Sequence, residues 1–304
     1  MVPLIPHVIV LHRLAAYFLS GGITLLSQLT ARHEADASPV PLPPGNLSEK
    51  KEEGAERTGA LIINADDWGR NRETTDAIYD CMVRKTVSST SHMVFMEDSE
   101  RAALVAQDNN FDTGLHLNLT SPFTAANCPS DLAQKQQEIS SHLLRSRLAP
   151  MMFRPGLMSS YEYVVKAQID EYARVYGKAP ERIDGHHHMH LANNVMLAGL
   201  LPDGTIVRRN FSFQSGEKSL SNRVYRQSMD RVLAKNHKVV DFFYSLPPLE
   251  PVERLKKIFS LAQKFVVEVE THPINKDEYA FLAEDGMYKL FGDVVISPRF
   301  GSAR

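Results

Sequence analysis

Four histidines fall within five consecutive positions of the segment 184–190, Asp-Gly-His-His-His-Met-His, which holds a third of the 12 histidines in the chain. Neutral imidazole is the commonest protein ligand for transition metals, so this density indicates a metal-binding or catalytic role. In an extended segment side chains alternate between faces, which predicts His186, His188 and His190 on one face and His187 on the other. The alternative is a solvated His-rich loop. A purification tag does not fit, because tags lie at chain termini.

Further polar residues coincide with predicted strand ends elsewhere in the chain. Asp66 and Asp67 end the first predicted strand, His116 lies in the third, and His272 ends a late one. Taken alone, each has an ordinary explanation: an Asx-capped turn, a packed core histidine and a strand terminator. In a parallel α/β barrel the carboxyl ends of the strands face one mouth, so these residues are expected to converge. Two adjacent carboxylates can then have different roles, one binding a cation and the other accepting a proton.

The elements that would position these residues alternate between short apolar strands and helices. The predicted strands are 60–63, 88–95, 112–119, the His-rich segment 181–190, 205–208, 239–244, 265–269 and 294–297. The predicted helices include 73–84, 99–107, 132–148, 162–176 and 252–263. Over ~250 residues this alternation predicts an α/β fold, a TIM-like (β/α) barrel of regular or distorted shape, with an open doubly wound sheet as the alternative. Glycine-rich nucleotide-binding motifs are absent from the sequence, which disfavours the nucleotide-binding versions of these folds.

The composition is that of a globular enzyme. The 304 residues are 43% hydrophobic and 23% charged, enough for one large domain or two ordinary ones. The net charge of -2 gives no reason to expect a nucleic-acid partner. Two cysteines, Cys81 and Cys128, are too few for a disulfide framework or a thiolate metal site.

The first 57 residues differ from the rest of the chain. Residues 1–30 are largely apolar, which is compatible with a signal peptide or a membrane anchor. The alternatives are a mis-called start codon and a loose amphipathic arm. Residues 31–57 are rich in proline, serine and charge, which is typical of a disordered linker. A folded domain is therefore predicted over residues 58–304. The expected location is cytoplasmic, with secretion or membrane contact only if residues 1–30 act as a signal or anchor.

Four motifs follow one another along the chain: Leu61–Gly69 (Leu-Ile-Ile-Asn-Ala-Asp-Asp-Trp-Gly), Gly114–Thr120 (Gly-Leu-His-Leu-Asn-Leu-Thr), Asp184–His190 and Glu270–Pro273 (Glu-Thr-His-Pro). Together they resemble the YdjC-like (ChbG-type) carbohydrate deacetylases. The first and third are specific, whereas His-Pro alone is weak. The resemblance implies a (β/α) barrel that removes acetyl groups from N-acetylated saccharides with one divalent metal ion, magnesium or zinc. A homodimer is a further expectation.

By motif position, the resemblance also implies roles for individual residues. The implied metal ligands, one carboxylate and two imidazoles, are Asp67, His116 and His186. Such a set leaves coordination positions open for water and a substrate oxygen. Asp66 would be the base that activates water, and His272 would donate a proton to the leaving amine. His188 would lie beside the site and bind substrate.

The chain departs from the family pattern at two positions. Trp68 stands where phenylalanine is usual, and Ile274 follows His-Pro where glycine is common. A β-branched residue is poor at positive φ, so the loop after His272 is expected to differ. Two other functions stay open on the residues alone: a metal-dependent hydrolase of another ester or phosphate class, and a sugar-binding barrel without turnover.

A long insertion, residues 121–161, follows the third predicted strand. It contains four prolines and the predicted helix 132–148. An insertion of this kind is more often a lid or a substrate wall than a separate domain. Four apolar side chains in it could contact the apolar face of a sugar ring or, equally, form ordinary core: Phe123, Met151, Met152 and Phe153.

Overall fold

The computed structural model describes residues 59–213 and 219–284, together with residues 287, 296, 297, 299 and 300. The predicted apolar segment 1–30 and the predicted linker 31–57 lie outside the described residues. None of the helices in the described ranges has the length and apolar character needed to cross a membrane.

Within the described residues, seven parallel strands form one sheet in the order β5-β4-β3-β2-β1-β7-β6. The strands are β1 (Ala60–Trp68), β2 (Ser89–His92), β3 (Thr113–Leu117), β4 (Arg182–Gly185), β5 (Ile206–Val207), β6 (Phe242–Ser245) and β7 (Val266–Thr271). The first seven predicted strands therefore all have counterparts, although β1 is longer and β2 and β5 are shorter than predicted. Of the predicted strand 294–297, residue Ile296 forms a parallel bridge with Leu61.

Helices connect the strands, as the alternating pattern predicts. In the described ranges they are α1 (Arg72–Val83), α2 (Ser99–Asp108), α3 (Ser130–Leu143), α4 (Met158–Tyr176), α5 (Asn193–Ala198), α6 (Leu220–Leu233), α7 (Val252–Leu261) and α8 (Lys276–Ala283). Asn71 caps α1 by accepting from the backbone N–H of Thr74. Gly177 ends α4 in the left-handed conformation that glycine adopts without cost.

The sheet curls until its edges approach each other. The backbone N–H of Val207 donates to the carbonyl of Lys238 at 2.9 Å, and that of Ser212 donates to the carbonyl of Phe243 at 2.7 Å. These bonds join the chain around β5 to the chain around β6. The predicted parallel α/β architecture is thus confirmed as a curled seven-stranded sheet. A complete eight-stranded TIM barrel is not confirmed by the described residues.

The two faces of the sheet have opposite character. On the outer face, apolar side chains such as Leu61, Ile63 and Ala65 pack against the helices. The inner face carries polar side chains that are buried and contact one another: Asn64, Asp66, Ser89, Ser91, His116, Arg182, Asp184, Arg208, Glu268 and Glu270. Barrel interiors are usually packed with branched apolar residues. Because buried charges are costly unless paired, this polar interior indicates a functional site.

The insertion between β3 and β4 packs on the same domain. Its helix begins at Ser130 and ends at Leu143, five residues before the predicted end at residue 148. Leu132, Ile139 and Leu143 are buried against α4, which makes the insertion part of the core. Phe123 also packs there, with its ring centroid 5.3 Å from that of Phe95.

The predicted extended conformation of the His-rich segment is wrong beyond Gly185. Residues His186–Leu191 form tight helical turns, in which His187 and His188 have φ values of 54° and 58°. The chain folds back over Gly185, where an added Cβ would lie 2.9 Å from Nδ1 of His190. Left-handed conformations are uncommon for residues other than glycine and concentrate at functional sites. The turn sends the four imidazoles in different directions instead of onto two alternating faces.

Candidate metal centre

Asp66 and Asp67 both face the interior, although neighbouring strand residues normally face opposite sides. The register of β1 against β2 shifts between Ala65 and Trp68, and Asp67 has a φ of 71°. This bulge turns Asp67 inward after Asp66. Trp68 points outward, where its indole Nε1–H donates to the carbonyl of Ala102 at 3.1 Å. The tryptophan therefore anchors β1 to α2 and leaves the interior to the carboxylates.

The three residues expected to bind metal come together at the carboxyl ends of β1, β3 and β4. Asp67, His116 and His186 each offer one ligand atom, and these atoms lie within 4.8 Å of one another. Oδ1 of Asp67 is 3.3 Å from Nε2 of His116 and 3.0 Å from Nδ1 of His186. All three side chains are buried. Although burial alone would raise the pKa of Asp67, its contacts with the two imidazoles lower that pKa well below the ordinary value.

Some buried polar atoms of this cluster make no hydrogen bond among the described residues. Oδ1 of Asp67 and Nε2 of His116, which lie 3.3 Å apart, are two of them. His186 faces Oδ1 of Asp67 with Nδ1 at 3.0 Å, and its other ring nitrogen, Nε2, is buried and unpaired. Buried polar atoms are nearly always hydrogen-bonded, so unpaired atoms in one cluster call for an explanation. One carboxylate oxygen and two imidazole nitrogens form a donor set that suits zinc and similar divalent metals. The residues present therefore fit a divalent cation.

Asp184 fixes the orientation of His116. The His116 Nδ1–H donates to Oδ1 of Asp184 at 2.7 Å, which leaves Nε2 facing Asp67. The other oxygen of Asp184 accepts from Ser91 Oγ at 2.5 Å and from Arg182 Nη1 at 3.2 Å. Burial alone would lower the pKa of His116, but the carboxylates of Asp66 and Asp184 raise it to about 10. A carboxylate behind a ligating histidine is the usual device for setting its tautomer and basicity.

Asp66 is held as a carboxylate by a buried arginine. Nη1 and Nη2 of Arg208 donate to its two oxygens at 2.6 and 2.7 Å, in the bidentate arrangement that is strongest for such pairs. Asn64 Nδ2 donates to Oδ1 at 2.7 Å. Burial opposes ionisation of Asp66, but the Arg208 charge lowers its pKa below the ordinary value. Among the described residues, Oδ2 of Asp66 accepts one hydrogen bond, from Arg208, so that oxygen can still accept a hydrogen bond from a water.

Arg208 is a functional residue that the sequence analysis missed. It follows β5 directly, is 2% exposed, and contacts three carboxylates besides Asp66. The distances are 3.0 Å to Asp184, 2.7 Å to Glu268 and 3.4 Å to Glu270. An arginine as the last residue of a predicted strand, as in 205–208, ordinarily indicates a solvated strand end. The available signal was its position, at the same strand edge as Asp66, His116 and His186.

The described interior holds more acidic than basic groups. Its five carboxylates come from Asp66, Asp67, Asp184, Glu268 and Glu270, and they face two buried guanidinium groups, from Arg182 and Arg208. The raised pKa of His116 and the part-exposed Arg70, 2.9 Å from Asp67, add positive charge at one side. Burial raises the pKa of Glu268, and burial together with the Asp66 charge raises that of Glu270 well above its ordinary value. Protonation of these two groups would offset the negative excess.

Of the four imidazoles in the His-rich turn, His186 alone belongs to the candidate ligand cluster. His187 stacks on His186 with centroids 4.0 Å apart, and its Nδ1 lies 3.0 Å from Thr120 Oγ1. His190 donates Nε2–H to the carbonyl of Arg208 at 2.9 Å, a structural contact. The Nε2 atom of His188 is 3.6 Å from Oε2 of Glu270. His188 thus lies beside Glu270 of the polar interior, and its substrate-binding role stays a prediction.

His272 lies at the expected strand end but apart from the cluster. Ala65 pairs with Thr271 in the sheet, so His272 follows β7 at the same edge as Asp66. Its backbone N–H donates to Glu278 at 2.9 Å. Within the described part of the chain, its half-buried ring makes no hydrogen bond or ion pair. The role of proton donor is neither supported nor opposed by these contacts, and stays a prediction.

The chain matches one family over most of the described domain. A family model described as "YdjC-like protein" matches residues 60–286. A chitooligosaccharide deacetylase of Proteus mirabilis is 29% identical over 137 residues, covering 44% of this chain and 51% of that protein. A chitooligosaccharide deacetylase of Yersinia pestis is 33% identical over 134 residues, covering 43% and 50%. A carbohydrate deacetylase of Mus musculus is 28% identical over 148 residues, covering 44% of both proteins. The chain spans about half the length of these curated relatives.

A solved structure supports the fold independently of close sequence similarity. It is a protein of Enterococcus faecalis described as a candidate cellobiose-phosphate cleavage protein, with a TM-score of 0.59 and 17% identity. The match covers 81% of this chain and 98% of that one. At this level of identity the similarity concerns the fold alone.

Proposed function

Because the chain belongs to the YdjC-like family, we propose that it is a carbohydrate deacetylase. The reaction would be hydrolysis of the acetamido group of an N-acetylated amino sugar, which yields acetate and a free amine. The observation that carries the proposal is the buried cluster of Asp67, His116 and His186, in which Oδ1 of Asp67 and Nε2 of His116 make no hydrogen bond among the described residues. Relatives named as deacetylases of chitooligosaccharides and of carbohydrates support the substrate class.

The proposed metal ligands are Asp67, His116 and His186. A divalent metal bound there would activate water and stabilise the negative charge that develops on the amide oxygen. The two imidazole nitrogens favour zinc or a similar metal over magnesium, which prefers oxygen ligands. Asp184 would keep the Nε2 atom of His116 aimed at the metal through its 2.7 Å bond to Nδ1.

Asp66 is the proposed base. Its carboxylate is ionised because Arg208 lowers its pKa, and its Oδ2 atom can accept a further hydrogen bond. A low pKa makes a weak base, so Asp66 can accept a proton only from a water that has itself been made acidic. His272 is the proposed proton donor to the leaving amine, because it follows β7 at the strand edge that carries Asp66. The homodimer and the cytoplasmic location remain predictions.

The test is an assay of acetate and free amine on a panel of N-acetylated mono- and oligosaccharides. The protein is stripped with a chelator and then reloaded separately with zinc and with magnesium. We expect equimolar acetate and amine from at least one saccharide, loss of activity on stripping, and recovery on reloading. If the reloaded protein leaves every N-acetyl sugar intact but cleaves phosphate esters, another hydrolase function replaces this one.

A further inference from the structure

Three phenylalanine rings form a continuous strip beside the candidate metal centre. Phe243 and Phe211 stack with centroids 4.6 Å apart and planes 14° apart, and Phe213 follows at 6.2 Å from Phe211. Phe243 is fully buried, whereas Phe211 and Phe213 are half-buried. This aromatic strip therefore leads from the interior of the curled sheet toward its surface.

The buried end of the aromatic strip touches the proposed catalytic groups. The guanidinium of Arg208, which holds Asp66, lies over Phe243 at 4.9 Å from the ring centroid. The imidazole of His188 meets Phe211 in a T-shaped contact at 4.6 Å and approaches Glu270 with Nε2. The aromatic strip is therefore continuous, through Phe243 and Arg208, with the carboxylate of the proposed base.

The backbone holds the aromatic strip in place. Ser212 N–H donates to the carbonyl of Phe243 at 2.7 Å, and Phe243 N–H donates back to Ser212 Oγ at 3.1 Å. On the other side of Phe211, the backbone N–H of Asn210 donates to buried Asp230 at 2.9 Å. Binding surfaces that are fixed in advance lose less entropy when a ligand binds.

Polar groups flank the aromatic strip. The half-buried guanidinium of Arg226 lies over Phe213 at 5.1 Å from the centroid. It donates to Asn222 at 2.9 Å and to Asn210 at 3.4 Å, which leaves further N–H donors on the same group. The Nδ1 atom of His188 is buried and has no hydrogen-bond partner among the described residues.

We propose that the aromatic strip binds a pyranose ring of the saccharide, with the apolar C–H face on Phe211 and hydroxyl groups near Arg226 and His188. This inference rests on the proposed function and specifies where the sugar lies. A pyranose combines a C–H face with a hydroxylated edge, which matches an aromatic surface bordered by a few polar groups.

Calorimetric titration tests the inference without requiring turnover. The probes are the disaccharide of N-acetylglucosamine and its fully de-N-acetylated counterpart. The variants are Phe211→Leu, which removes the flat face, and Phe211→Trp, which keeps one. Tyr79→Leu is the control, because Tyr79 is an exposed ring on the outer helix α1. Melting temperatures of all variants report on folding.

We expect Phe211→Leu to weaken binding of both sugars by about 3- to 10-fold, the usual value of one aromatic contact. Phe211→Trp and Tyr79→Leu should bind within about twofold of the wild type. Saturation-transfer NMR on the wild type should show transfer from aromatic protons to the sugar C–H groups, which keeps the test valid if Phe211→Leu does not fold. Wild-type affinity in Phe211→Leu, or no binding of either sugar to the wild type, would overturn the inference.

Three further outcomes separate this inference from the proposed reaction. If Phe211→Leu weakens binding of the N-acetylated sugar alone, the strip is an acetyl pocket and the inference is wrong. If both sugars bind in a Phe211-dependent manner but no acetate is released, the sugar-binding strip stands and the deacetylase proposal fails. If acetate is released and Phe211→Leu binds both sugars as the wild type does, the deacetylase proposal stands and the sugar-binding strip is wrong.

Discussion

At the scale of single residues, two adjacent carboxylates lie in different surroundings. Asp66 is paired through both oxygens with the buried guanidinium of Arg208. Asp67 faces two imidazoles with Oδ1 and accepts from the part-exposed Arg70 with Oδ2 at 2.9 Å. The positive φ of Asp67 allows both side chains to face the interior. Different neighbours suit them to different tasks, since one keeps a free lone pair for a proton and the other offers an unpaired oxygen to a cation.

We expect Asp66→Asn to retain metal and to lose most turnover. Asparagine is nearly isosteric with aspartate but cannot accept a proton from water at neutral pH, and a general base typically contributes about 10²–10⁴-fold. The measurement is kcat together with metal content. Asp80→Asn, at an exposed ion pair on α1, is the control and should behave as the wild type. A wild-type rate in Asp66→Asn would make Asp66 a structural residue.

We expect Asp184 to position His116 and to have no direct contact with the reacting groups. In Asp184→Asn the amide can still bond to Nδ1 of His116, but the ring loses its anionic partner. Such changes typically weaken metal affinity by about 10- to 100-fold. Competition with a chromophoric chelator measures that affinity. Unchanged affinity in a folded Asp184→Asn protein would show that the 2.7 Å contact has no role in metal binding.

At the scale of secondary-structure elements, the strands were predictable and the turns at their ends were not. Apolar runs such as 60–63 and 265–269 identify strands because both faces of a parallel strand are covered. The turn after β4 was not predictable, because left-handed conformations at His187 and His188 lack the usual glycine signal. The bulge at Asp67 was not predictable either, because its positive φ occurs without a glycine. The ion pair between Arg208 and Asp66 was not predictable either. It depends on how the ends of β5 and β1 approach each other across the curled sheet, which a local sequence pattern does not specify.

Gly185 is expected to be essential for the His-rich turn. In Gly185→Ala the new Cβ would lie 2.9 Å from Nδ1 and 3.0 Å from the backbone nitrogen of His190. Relief of that overlap must move the turn that carries His186, so we expect a loss of about 1–3 kcal/mol in unfolding free energy and weaker metal binding. Urea denaturation measures the first and chelator competition the second. Gly156→Ala, where an added Cβ meets nothing within 4 Å, is the matched control.

A Gly185→Ala protein with wild-type stability and metal affinity would show that the turn can shift without cost. The close approach between Gly185 and His190 would then be incidental to the site.

At the scale of the whole molecule, the curled sheet separates two kinds of packing. Apolar side chains between sheet and helices supply the core, and the interior of the sheet holds a network of buried charges. Buried ion pairs contribute little net stability compared with apolar packing, because desolvation offsets their attraction. The fold thus carries a site that costs stability, which is characteristic of functional regions.

Arg208→Met tests how much Arg208 contributes to the stability of the buried charge network. Removal of the guanidinium leaves four carboxylates without their shared partner, and the loss of one member of a buried pair typically costs about 3–5 kcal/mol. Folded-state carboxyl pKa values should rise above their unfolded values. Stability from such groups is present at low pH and is lost as the pH rises, so the deficit should be larger at mildly alkaline than at mildly acidic pH.

Urea denaturation at the two pH values measures the deficit of Arg208→Met. Arg84→Met, at a surface ion pair, should leave the unfolding free energy close to that of the wild type. A deficit in Arg208→Met as small as that control would contradict the view that one arginine holds the charge network together.

The most direct test of the central claim is the metal content of wild-type, His186→Ala and His187→Ala proteins after identical loading and desalting. The two histidines are neighbours, but His186 joins the cluster with Asp67 and His116, whereas His187 contacts Thr120. We predict one equivalent of divalent metal in the wild type and in His187→Ala, and loss of most of it in His186→Ala. A full equivalent in folded His186→Ala protein would contradict the proposed metal centre.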